Sequence, residues 1–198
     1  MALNKYFLTL LILIISTKSY TQNDTIQKKY FSIGTDTKGI AFGNPNIYNG
    51  VKLDLVASGE QMNGVQLNSF SSHTNKINGF SINLINHGAE KINGFTASFM
   101  INSNKLNGVF AGFGIGSPKK NIENRSINGV PVGVLINAEK LNGLIIALGN
   151  SYSKQMTGIS ISLFNQTENL HGLQIGLINY AGNNPKLLRW LPFFNFHK

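Results

Sequence analysis

The chain has 198 residues, 42% of them hydrophobic and only 13% charged, which leaves room for one domain with a core of its own. Asparagine (27) and glycine (21) make up almost a quarter of the sequence, a mix that disfavours long helices because both rank low in helix propensity. There is no cysteine, which excludes disulfides, thiolate metal sites, a cysteine nucleophile and a lipidated N-terminal cysteine, while 17 basic against 8 acidic residues give a net charge of +9 that invites anionic partners if it is clustered.

The first segment has the layout of a secretory signal peptide. Met1–Lys5 carries positive charge, Tyr6–Ile15 is an apolar run of ten, and Ser19-Tyr20-Thr21 offers small residues at the −3 and −1 positions of a cleavage site after Thr21. The run is too short to span a membrane as a helix, which takes about 20 residues. Loss of Lys5 and Lys18 would leave residues 22–198 with 15 basic and 8 acidic residues, a net of +7. Residues 22–47 read as an N-terminal segment and cap, with Tyr30–Ile33 and Ile40–Phe42 as a hairpin or partial coil about a Gly-Thr-Asp-Thr-Lys-Gly turn.

Residues 48–179 repeat. A glycine recurs at Gly50, Gly64, Gly79, Gly94, Gly108, Gly129, Gly143, Gly158 and Gly172, at spacings of 14 or 15 with a single 21. Two residues before each stands an apolar residue (Tyr48, Met62, Ile77, Ile92, Leu106, Ile127, Leu141, Met156, Leu170). After each glycine, positions +1, +3 and +5 are apolar with one exception, Ser69, and position +4 is always small or short (Asp54, Asn68, Asn83, Ser98, Gly112, Gly133, Ala147, Ser162, Gly176). Period two means strand, with the apolar columns expected in the core and the other face flat and mildly polar.

The flanking apolar residues at −2 and +1 are three apart, so both reach one core only if the chain bends at Asn-Gly, where glycine tolerates positive φ. A second asparagine (Asn86, Asn102, Asn137, Asn150, Asn165, Asn179) and polar connectors such as Ala138-Glu139-Lys140 supply turn chemistry. The resulting expectation is an all-β fold, a β-solenoid with one coil per 14–15 residues. The alternative is an antiparallel meander closed into a barrel in an outer membrane. The solenoid is preferred because alternate repeats do not differ, as they would if strands ran up and down, and because the alternating stretch is shorter than a membrane strand.

The 21-residue spacing places an insertion at Gly116–Ser126, where Lys119, Lys120 and Arg125 against Glu123 form a candidate basic loop. Four lysines, Lys76, Lys91, Lys105 and Lys140, share the position three before the glycine and form a candidate anion-binding strip or a guard against edge aggregation. The expected partners are anionic polysaccharide or another cell-envelope component, in preference to nucleic acid. Residues 180–198 form an aromatic tail, Trp190-Leu-Pro-Phe-Phe-Asn-Phe196, expected to plug the last coil.

The Asn-Gly-centred pattern, clearest in His171-Gly-Leu-Gln-Ile-Gly-Leu-Ile-Asn179, resembles the exported surface-repeat proteins of spirochaetes and Bacteroidetes over Tyr48–Asn179, and weakly into the tail. The resemblance implies export and a surface, outer-membrane-associated, periplasmic or secreted location, and brings no catalytic residues. Some members are lipoproteins, a route this chain lacks the cysteine for. The eight carboxylates and four histidines do not gather at catalytic or metal-ligand spacings, so no catalytic, cofactor or metal site is expected. His171 stands where seven other repeats have asparagine, and reads as a corner residue.

Overall fold

The structure, a computed structural model, describes residues 30–116 and 123–198. The expected signal peptide, residues 22–29, and Lys119 and Lys120 of the basic loop lie outside the described residues. The fold is all-β, one open sheet in chain order: β1 (Tyr30–Gly34), β2 (Lys38–Gly43), β3 (Ile47–Asn83), β4 (Asn86–Ala97), β5 (Met100–Gly116), β6 (Ser126–Ala181) and β7 (Trp190–His197).

From β2 to β6 the pairing is parallel and in register with the repeat. Gly39 faces Gly50, Gly79 faces Gly94, Gly94 faces Gly108, and Gly108 faces Gly129 across the 21-residue spacing. A chain that runs parallel beside itself once per repeat is compatible with the expected solenoid. The antiparallel meander is not formed by these pairs, and antiparallel pairing between elements is confined to the ends, β1 on β2 and β7 on β6. Stacked rings mark the strand spacing, with Phe80 and Phe95 4.8 Å apart and Phe99 and Phe113 5.0 Å apart.

The repeat glycines have φ between +115° and +142°, the positive φ expected at Asn-Gly. Glycine is also compelled by space: a Cβ on Gly94 would lie 2.1 Å from the carbonyl oxygen of Gly79. Beside this column runs a ladder of the preceding asparagines. Each donates from Nδ2 to Oδ1 of the asparagine one repeat back, from Asn63 to Asn49 and onward to Asn142 on Asn128, at 2.7–2.8 Å. The amide side chains thus continue the backbone ladder through the turn.

The bend does not turn both apolar neighbours inward. The −2 column is fully buried from Tyr48 to Leu170, whereas the +1, +3 and +5 columns point outward, with Leu84 67% and Leu148 72% exposed. Burial does not alternate through Asn-Gly: the −1, 0 and +1 residues all lie at the surface between the buried −2 and +2 residues, as Asn49, Gly50 and Val51 do between Tyr48 and Lys52. The residues turned inward are at +2 (Lys52, Gln66, Ser81, Thr96, Phe110, Ile145, Ser160, Gln174) and, for the most part, +4 (Asn68, Asn83, Ser98, Ala147, Ser162). The small, mildly polar column expected outside therefore lines the interior.

The buried side of each repeat of 14 or 15 residues combines the apolar −2 residue with mostly short polar residues at +2 and +4. Short polar side chains are tolerated inside where they satisfy one another. They do so repeatedly: Asn68 Nδ2 donates to Asn83 Oδ1 (2.5 Å), Gln66 Nε2 to Ser72 Oγ (2.7 Å), Ser160 Oγ to Asn165 Oδ1 (2.6 Å) and Ser153 Oγ to Thr167 Oγ1 (2.9 Å). Apolar filling takes over in the middle repeats, with Ile101, Phe110, Ile115, Ile136 and Ile145.

The tail also departs from expectation. β7 pairs antiparallel with the last repeat of β6, with Leu173 facing Phe196 and Ile175 facing Phe194. Its aromatic residues do not plug the interior, since Phe193, Phe194 and Phe196 are exposed and the buried residue is Asn195. Asparagines close the end: Asn184 Nδ2 donates to Asn195 Oδ1 (2.7 Å), and Asn195 Nδ2 to the carbonyls of Leu188 and Arg189. Alternation again decides the matter, because the register that puts Asn195 inside puts Phe194 and Phe196 outside.

Candidate functional site

The outward columns build one continuous apolar face. In register, Phe80, Phe95, Val109 and Val130 form one row, and Ile82, Ala97, Ala111 and Val132 the next. Both rows extend over the end strands: Ile40 faces Val51 and Phe42 faces Leu53 from β2, Ile33 and Phe31 continue them in β1, and Phe196 and Phe194 do so in β7. The end strands thus form the two edges of the sheet while prolonging its apolar surface.

The +5 column adds a further row, and position +6 is apolar and outward in most repeats, as in Leu163-Phe164 and Leu177-Ile178, the exceptions being Gly149 and the buried Gly114. Two adjacent outward residues straddle a turn and make a ridge along the face. Between the +3 and +5 rows of the last three repeats lies a shallow groove lined by Ile146, Leu148, Ile161, Leu163, Ile175 and Leu177, with Phe193 at its end. Monomeric surfaces seldom carry contiguous apolar patches beyond a few hundred Å² without a use for them.

The lysine strip is only partly assembled. Lys76 faces Lys91 and Lys91 faces Lys105, so three ammonium groups stack in register, but Lys105 faces Ser126 and the serine separates it from Lys140. Arg125 of the basic loop is half-buried, and its Nη1 donates to the Ser103 carbonyl at 3.3 Å, which ties it to the preceding repeat. Glu139 accepts the Asn124 N–H at 2.6 Å and so holds the end of the insertion.

Two interior groups escaped the sequence reading because they sit in a column taken as solvent-facing or in a connector. Lys52 is buried with its Nζ donating to the Ser58 carbonyl at 2.6 Å, and burial lowers its pKa to about 8 against the opposing pull of Asp54. His87 is buried beside Asn83, whose Nδ2 donates to the imidazole Nδ1 because its Oδ1 is taken by Asn68. Burial, and secondarily His73, lowers the His87 pKa to about 4. Neither is joined by a second titratable group in a pocket, and no cluster of metal-ligating residues occurs among the described residues. His171 is exposed at the corner, edge-on to His197 at 6.2 Å.

No helix among the described residues is long and apolar enough to cross a membrane. Comparison with protein-family models, curated proteins and solved structures returned no match for this chain.

Proposed function

We propose that the chain is an exported, non-enzymatic β-solenoid scaffold of the surface-repeat kind, working through its outer face and not through a pocket. The observation that carries this reading is the apolar face: across nine repeats, positions +1, +3, +5 and +6 include no charged residue. Among the described residues, no acid, base and nucleophile converge in the interior, which favours a contact role over catalysis. The signal-peptide layout of residues 1–21 and the resemblance to exported surface repeats supply the location.

The test is labelling of intact cells with a membrane-impermeant amine reagent, followed by fractionation. The chain is expected in the envelope or the medium, modified at Lys76 and Lys105, which are exposed. Recovery of unlabelled chain only from the cytosol would contradict the proposal.

A second reading, polyanion binding, is favoured by the in-register stack Lys76, Lys91 and Lys105. Retention on heparin should then weaken with salt and with the Lys76→Gln, Lys91→Gln, Lys105→Gln variant. Retention unchanged in the variant removes the strip as the cause.

A further inference from the structure

We propose that the apolar face seats on the acyl-chain region of a lipid layer, so that the molecule lies along a membrane surface without crossing it. The inference rests on the scaffold reading above and names what its face takes.

The face is long. With β1, β2, nine repeats and β7 there are twelve strand passages, which at about 4.8 Å each extend roughly 55 Å, and the +1 to +5 rows span roughly 15 Å. A protein partner covering that area would be held by about ten hydrogen bonds across the interface. Of the 36 residues at +1, +3, +5 and +6, two of them glycine, only Ser69 bears a hydroxyl, and none bears a side-chain amide or a charge. A second copy of the chain would bring the same poverty of donors and acceptors to the contact. Hydrocarbon requires none.

Shape points the same way. The +5/+6 ridge presents apolar groups to both sides of a turn, with Leu84 67% and Ile85 53% exposed. A flat complementary sheet could cover one flank of that ridge, whereas a fluid layer covers both.

Polarity is graded around the repeat. The asparagine ladder borders the face at −1 and polar residues such as Asn86, Asn102, Asn137 and Asn150 border it at +7 or +8. Apart from Lys52, Asp54 and the inserted loop, every charged residue of the nine repeats lies three or four positions before the glycine. That is half a repeat from the middle of the apolar band, hence on the opposite side of a coil. Apolar band, amide borders and charged back reproduce, on a sheet, the layout of an amphipathic helix that sinks roughly 5–10 Å into a membrane interface. Because the lysines are on the far side, attachment does not depend on anionic lipid.

The experiment is flotation of the purified exported chain with neutral phosphatidylcholine vesicles in high salt. The chain is expected to float, and the triple variant Leu148→Asn, Leu163→Asn, Leu177→Asn to lose at least tenfold in vesicle partitioning. A single-cysteine variant, Leu163→Cys, carrying an environment-sensitive dye should shift to the blue on vesicle addition, while the dye at Lys91→Cys should not. This second readout decides the matter if the triple variant fails to fold. Absence of flotation, flotation only on anionic vesicles with release by salt, or a stable dimer in solution that shields residue 163 would each overturn the proposal. Failure here leaves export and the scaffold role standing, because those are read from cell fractionation.

Discussion

His87 is held neutral by its surroundings. Its folded pKa of about 4 lies below the ordinary 6.5, so between those values the unfolded chain binds a proton that the folded chain refuses. Stability from this group is therefore full above pH 7, lost as the pH falls towards 4, and level below it. The span corresponds to about 3 kcal/mol. Urea midpoints measured at pH 7 and pH 4.5 should fall in the parent and fall less in His87→Gln; parallel losses in both would assign the effect elsewhere. At the same scale, Gly94→Ala forces a Cβ to 2.1 Å from the Gly79 carbonyl oxygen at φ +126°. It should cost about 3 kcal/mol or more. Gly88→Ala meets nothing nearer than 3.6 Å and should lie within about 1 kcal/mol of the parent. The need for glycine at Asn-Gly could be read from the repeat itself. His87 could not, because whether a connector residue points in or out depends on where each turn falls.

At the scale of the element, the asparagine ladder ties strand to strand at the turn. Asn93 both donates to Asn78 and accepts from Asn107, so Asn93→Ala breaks two bonds and should cost about 1–2 kcal/mol in a thermal or urea melt. The ladder stops where Thr157 and then His171 replace asparagine. Thr157→Asn should extend it onto Asn142 and raise the melting midpoint, an increment of about 0.5–1 kcal/mol. Strand content, repeat length and the Asn-Gly turn were all legible in the sequence. The inward set was not. Alternation tells which residues share a face but not which face is buried, and the habit of assigning apolar columns to the core fails here, where the buried side carries the −2, +2 and +4 positions. Tyr48 and Val51 were placed together on that habit, yet the turn keeps Asn49, Gly50 and Val51 at the surface between buried Tyr48 and Lys52. In β7, period-two alternation about the buried Asn195 leaves Phe194 and Phe196 outside.

For the whole molecule, this inversion makes the outer surface the candidate site. The polar interior is held by pairs such as Asn68 with Asn83 and Ser153 with Thr167, while the aromatic end strand and the N-terminal hairpin lengthen the apolar face they adjoin. The lysine column and its interruption at Ser126, three residues before Gly129, were both legible in the sequence, and the register pairs Lys105 with that serine.

Because the chain has no cysteine, thiol accessibility reports directly on which face is outside. Single-cysteine variants would be made at Leu148 and Leu163 on the apolar columns and at the neighbouring Ala147 and Ser162 in the small column. With the purified native chain, a maleimide should react rapidly at 148 and 163, and at 147 and 162 only after denaturation. Rapid reaction at 147 and 162 with protection at 148 and 163 would put the apolar columns in the core and contradict the outward face.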